Sequence, residues 1–169
     1  LLAKGIKVER IGDNIQFKYP INQVKTQFQI KRTASDAQVF QQIIELEEYS
    51  PIIAIFRDMN ISPQTMIDAG ANIGLTCLYF KSHFPDINIT ALEPFEETYN
   101  RLVQNININH FSSVRLLKKG LWSSQIKLKA DTSFRDGQDW SFRLVEACSN
   151  EPALFEATSI DEIISENNL

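Results

Sequence analysis

In the stretch MIDAGANIG, residues 66–74, an apolar run ends in Asp68, and Gly70, Asn72 and Gly74 follow at alternate positions. Glycines in that pattern make a tight turn that brings bare backbone close to something. A P-loop would need a Lys after the last glycine, and none follows Gly74. A dinucleotide turn of the form GxGxxG would need glycine where Asn72 and Leu75 stand. Asn tolerates positive φ, so the bend survives, but its side chain takes the room that a pyrophosphate requires. The turn therefore suits a ligand without a diphosphate. Glu93 stands 19 residues beyond Gly74, at the end of the next apolar run. A carboxylate there accepts hydrogen bonds from ribose hydroxyls. Turn and acid together describe a nucleoside site. The competing reading is a ligand-free fold with two turn glycines and a solvated Glu at a strand end.

These residues have to be positioned by repeated strand–turn–helix units. TMIDAG reads as a buried parallel strand, GLTCLYFKSHF as a helix stopped by Pro85, and NITALE as a second strand. EETYNRLVQNININ follows as a helix with Leu102, Val103 and Ile106 on one face, and VRLLKKG as a third strand. Strands alternating with helices at this spacing predict βαβ units around a parallel sheet. The flanks differ. NIQFKYP and TQFQIKR alternate apolar and polar residues and predict a hairpin. A helix should follow, with Ser35 and Gln38 in capping-box register, Asp36 in its first turn and Pro51 at its end. PIIAIFRDMN is a second short helix or a buried run. QIKLKA and SFRLVEA predict an antiparallel pair around a polar loop with Asp136 and Gly137. TSIDEIISENN predicts a closing helix capped by Ser159 and Glu162. The division expected is an N-terminal hairpin and helical segment, 1–60, packed on a ligand-binding core, 61–169. With only two parallel strands following the first, strand 65–69 would lie at an apolar edge. The C-terminal half is therefore expected to be incomplete, and the first residue, which is not Met, not to be the natural start.

Bulk composition narrows the classes. The chain has 169 residues with a net charge of −4, which argues against nucleic acid as a partner. The two cysteines have no CxxC partner and no nearby His, so no metal site is expected. Cys77, in an apolar run, reads as a buried thiol in a reducing compartment, and a cytoplasmic location is the expectation. No apolar run reaches the ~18 residues of a membrane span. His83 and His110 read as helix-end residues, and Trp122 and Trp140 as rim packing or the wall of an acceptor pocket. Asp131, Asp136 and Asp139 read as a polar turn.

IDAGANIGLT, followed by ITALEPFEETYNRL and VRLLKKGLW, resembles the FkbM family of S-adenosylmethionine-dependent methyltransferases. The upstream TASDAQVFQQI…EEY is similar to the segment that precedes the glycine turn in that family, and the resemblance covers roughly residues 30–165. It implies an α/β fold with a Rossmann-like class I methyltransferase sheet in three α/β/α layers. S-Adenosylmethionine is then the cofactor, and oxygen on a sugar, polyketide or other small molecule the acceptor. This donor has a ribose and no phosphate, as the turn requires. Its carboxylate suits the free N–H groups at the start of helix 75–84. Asp68 would order the turn and face the ammonium group. Gly70, Ala71, Asn72 and Gly74 would form a backbone wall, and Glu93 would take both ribose hydroxyls. Phe95 would pack on adenine or staple the start of its helix. Gly120 and Leu121 fall where the family pattern places the adenine edge. Asp36 and Tyr49 would close over the donor's methionine end, or Asp36 would serve only as a helix-start residue. The family's Asp-x-Glu-Gly motif, on the strand after the SIDEII helix, does not occur before Leu169, so no catalytic residue is assigned. Two other readings stay open: an NAD(P)-binding Rossmann oxidoreductase, and a catalytically silent nucleoside-binding or scaffold domain.

Overall fold

The computed structural model describes residues 6–32, 34–131, 143–147 and 155–166. The chain opens with an antiparallel sheet of three strands, β1 (Val8–Ile11), β2 (Asn14–Ile21) and β3 (Val24–Lys31). The expected hairpin is β2–β3, and β1 adds a strand that was not foreseen. Asn22 and Gln23 close the hairpin at φ of 45° and 66°, the two positive angles that match the twist of paired strands in a two-residue turn. Period-two alternation buries Thr26, Phe28 and Ile30 on one face of β3, and Phe17 and Ile21 join them from β2. Phe40 meets Phe17 and Phe28 edge-on at 5.1 and 5.2 Å.

Helix α1 (Ala34–Phe40) continues as a π-helical turn over Gln41–Glu45. Ser35 lies inside α1, so the predicted capping box is not realised: the helix begins two residues too early for Ser35 to cap it. The run after it is helical, α2 (Ser50–Asp58), and Pro51 occupies its first turn, where its missing N–H costs nothing.

The βαβ grammar is present. β4 (Thr65–Ala69), β5 (Asn88–Leu92) and β6 (Val114–Leu117) form a parallel sheet in that order, joined by α3 (Leu75–His83) and α4 (Glu96–Ile108). Among the described residues β4 pairs only with β5. It is thus the edge that the strand count predicts, and its side chains are half-exposed or exposed rather than fully buried. Helix α3 is the hub. Leu75, Cys77, Leu78, Tyr79, Phe80, Lys81 and Ser82 are all buried, because β2, β3 and the π-helical turn pack on it. Its buried Lys81 donates to the Pro85 carbonyl at 2.9 Å. One hydrophobic cluster runs from Phe17 and Phe28 through α3 to Ile89, Leu102 and Ile106.

The third predicted strand divides. β6 stops at Leu117, and β7 (Gly120–Leu121) joins a separate mixed sheet of order β7–β10–β8–β9, with β8 (Lys127–Asp131), β9 (Arg143–Glu146) and β10 (Phe155–Thr158). The single sheet of the Rossmann-like expectation is thus realised as a three-stranded parallel sheet beside a second, mixed one. β8 and β9 are the expected antiparallel pair; the loop with Asp136 and Gly137, together with Asp139 and Trp140, lies outside the described residues. Helix α5 (Ile160–Glu166) carries its capping box in full: Glu162 N–H donates to Ser159 Oγ at 3.2 Å and Ser159 N–H to Glu162 Oε2 at 3.0 Å.

Candidate functional site

The turn after β4 has the predicted backbone. Gly70, Asn72 and Gly74 all take positive φ, at 81°, 51° and 86°. The N–H groups of Gly70 and Ala71 both donate to the Leu92 carbonyl, at 2.9 and 2.8 Å, which draws the turn over the end of β5. A Cβ on Gly70 would meet nothing within 4 Å. On Gly74 it would lie 2.6 Å from Leu102 Cδ1, so this glycine gives close approach to α4.

Beside the turn lies a cleft of about 490 Å³. Gly70, Asn72, Glu93, Phe95, Gly120 and Leu121 line it, so six of the nine residues singled out converge there. The other three do not line it. Ala71 and Gly74 are buried beneath the turn. Asp68 is half-buried, and its Oδ2 accepts from the Cys77 thiol at 3.1 Å. Of the residues weighed for the donor's methionine end, Asp36 faces elsewhere: it accepts from Lys31 N–H at 2.7 Å and pairs with Arg101. Tyr49 packs on Tyr79 and Phe80. His110 follows the end of α4 in the left-handed region, a helix-end residue as expected.

Glu93 is the focus. It is 5% exposed, which removes the solvated strand end as a description of it. Its Oε2 accepts from Asn72 N–H in the turn and its Oε1 from Phe95 N–H at the start of α4, each at 3.0 Å. Its own N–H donates to Leu117 of β6. The turn and the start of α4 thus hold the carboxylate in the cleft, and β6 holds its backbone. Each oxygen has a second lone pair, so the group can still accept from a ligand. Burial lifts the Glu93 carboxyl above its ordinary range; the two N–H bonds pull it down, and the charge of Asp68 pushes it up again. Asp68 is raised too, by burial, against the opposing effect of the Cys77 thiol bond. The charge of Asp68 behind the cleft-lining Glu93 makes this end of the cleft favourable to a cation.

Comparison with known proteins gives partial likenesses. No protein-family model matches the chain. It is 45% identical over 60 residues to Methyltransferase sdnD of Sordaria araneosa, covering 35% of this chain and 23% of that protein. It is 36% identical over 56 residues to Methyltransferase 1 of Beauveria bassiana (strain ARSEF 2860), covering 33% and 22%. The matched part thus spans less than a quarter of either curated relative. Among solved structures, a SAM-dependent methyltransferase from Agrobacterium tumefaciens overlaps 66% of this chain and 34% of its own, at 14% identity and a TM-score of 0.48.

The cleft also has walls that sequence reasoning missed. Pro94 and Thr98 flank Phe95, Lys119 precedes Gly120, and Leu144 reaches in from β9. Proximity to Glu93 could have suggested the first two; nothing in the sequence marks Leu144. Trp122 lines the cleft and is anchored at its rim, its indole N–H donating to Glu146 Oε1 at 3.0 Å. Phe95 packs on Phe155 with centroids 4.7 Å apart. Among the described residues no group of three His, Cys, Asp or Glu side chains is placed to hold a metal ion. No described helix is long and apolar enough to cross a membrane.

Proposed function

We propose that the chain is the donor-binding part of an S-adenosylmethionine-dependent methyltransferase of the FkbM type, acting on an oxygen of a small molecule such as a sugar or polyketide. The observation that carries this reading is the buried Glu93 carboxylate, tied to the glycine turn and to the start of α4, at the floor of a cleft that the turn overhangs. The two partial methyltransferase likenesses support it from outside.

The residues fit this donor better than a dinucleotide. Glu93 keeps one lone pair per oxygen for the two ribose hydroxyls. Asn72 crowds the place of a pyrophosphate, whereas Gly70 leaves open space at the turn. When bound, S-adenosylmethionine supplies a methyl group on a sulfonium, so the chemistry is an in-line displacement at carbon. The chain's share is positioning. Glu93 fixes the ribose, and Phe95 with the backbone of Gly120 and Leu121 bounds the adenine. The charges of Asp68 and Glu93 favour the cationic end of the donor, while Ala71, Asn72 and Gly74 set the turn. The proton lost by the acceptor oxygen needs a base that none of these residues supplies.

Titration calorimetry with S-adenosylmethionine, S-adenosylhomocysteine and NAD on one sample tests the proposal. The two adenosyl compounds should bind and NAD should not. Binding of NAD alone would move the site to the oxidoreductases, and binding of none would leave a silent scaffold.

A further inference from the structure

Arg101, Asn105 and Asn109 fall four residues apart along one face of α4. Lys31, Gln29 and Gln27 fall two apart along β3. Four helical residues rise about 6 Å and two strand residues about 6.8 Å, so the two series stay in step. Gln27 N–H donates to Asn109 Oδ1 at 2.8 Å, and Asn109 Nδ2 returns a bond to Gln27 O at 2.7 Å. Gln29 N–H donates to Asn105 Oδ1 at 2.8 Å, and Asn105 Nδ2 returns one to Gln29 O at 3.1 Å. At the far end Lys31 N–H reaches Asp36, which pairs with Arg101. Among the described residues β3 has β2 as its one strand neighbour in the sheet. Side-chain amides of α4 cover its other edge, copying the donors and acceptors of a further strand.

The two asparagines differ in one respect. The remaining Nδ2 hydrogen of Asn109 goes to its own helix, at Asn105 O, 2.8 Å away. That of Asn105 goes to Ile73 O at 2.9 Å, inside the glycine turn. Asn105 is 0% exposed, so no solvent competes for this amide. The Ile73 carbonyl shares its peptide plane with the Gly74 N–H, which donates to Ala71 O at 2.8 Å. Asn105 therefore grips the peptide unit that closes the turn.

We infer that Asn105 is a positioning residue that ties the glycine turn to the edge of the N-terminal sheet. Docking of β3 and occupancy of the cleft then strengthen each other, because both depend on one amide. The coupling to a ligand rests on the nucleoside reading proposed above; the grip on the turn does not.

Asn109 is the built-in control. Asn105→Ala and Asn109→Ala each remove a pair of bonds to β3, and only the first releases Ile73. Amide hydrogen exchange should show Gly74 exchanging about tenfold faster in Asn105→Ala than in the wild type, as expected for loss of one buried hydrogen bond, with Asn109→Ala near wild type. The same tenfold contrast should appear in the affinity for S-adenosylhomocysteine. Equal effects of the two variants on Gly74, or none, would overturn the inference. A wild-type chain that binds no S-adenosylhomocysteine would defeat the nucleoside reading, and Gly74 exchange would still decide this one. If Asn105→Ala fails to fold, the wild type carries the test. Saturating S-adenosylhomocysteine should slow exchange of the Gln29 amide, and an unchanged rate would overturn the coupling.

Discussion

At the scale of single residues, Glu93 bears the most weight. A buried carboxylate held by two backbone N–H groups is expensive to desolvate, and the fold retains it at a cleft rather than in the core. Glu93→Ala should weaken S-adenosylhomocysteine binding by at least about 1.5 kcal/mol, since a charged acceptor is lost. Isothermal titration checks this, and an unchanged affinity would remove Glu93 from the site. Its titration gives a second expectation. Burial raises the folded-state pKa above the ordinary glutamate value of 4.5, so the carboxyl takes up its proton at a higher pH than an exposed glutamate. Falling pH should therefore abolish nucleoside binding with a midpoint above 4.5, and binding measured from pH 4 to 8 should show it. A midpoint at or below 4.5 would contradict the expectation. Asp68 and Cys77 behave otherwise. Burial and the neighbouring Asp68 charge hold the Cys77 thiol well above its ordinary range. It stays protonated and serves as a donor rather than a nucleophile.

At the scale of elements, the glycine turn divides its labour between two glycines. Gly74 has positive φ and no room for a Cβ against Leu102, whereas Gly70 has positive φ and open space. Gly74→Ala should therefore destabilise the protein by about 2–3 kcal/mol, from overpacking added to backbone strain, and Gly70→Ala by about 1 kcal/mol. Urea titrations of the two variants would show the order, and equal losses would contradict it. The capping box on α5 is a simpler case: Ser159→Ala should lower stability by about 1 kcal/mol in the same assay. Much of this scale was legible. Period-two alternation announced β2, β3, β8 and β9. Asn72 at positive φ followed from its place between two glycines, and Ser159 with Glu162 announced α5. What failed had physical reasons. Ser35 is the right residue type for a cap, but α1 starts before it. β1 is short, and Glu9, Arg10 and Ile11 are exposed on both its sides, so no alternation marks it. The break between β6 and β7 comes from Gly120 packing under Leu128 and Leu144, a contact with partners far along the chain. The fixing of Glu93 by Asn72 and Phe95 was equally invisible, because backbone donors leave no mark on residue type.

At the scale of the whole molecule, hydrophobic packing runs across residue 60. Phe17, Phe28 and Phe40 belong to the same hydrophobic cluster as Leu75, Leu78 and Leu102. The asparagine pair of α4 adds polar bonds across the same boundary. Such asparagines read as solvated helix positions until β3 is brought alongside them. The N-terminal sheet and the parallel sheet should accordingly unfold in one transition. Amide exchange in β3 and in β5 should report the same global opening free energy, and two separated values would contradict a shared core. The cleft opens where the parallel and mixed sheets meet, so both must be folded for it to exist. The most direct test of the central claim is a crystal structure of the chain with S-adenosylhomocysteine. The expected result places the ribose hydroxyls within about 3 Å of the Glu93 carboxylate, with the thioether over the turn at Gly70. A nucleoside lodged elsewhere, or a Glu93 carboxylate that touches no part of it, would contradict the claim.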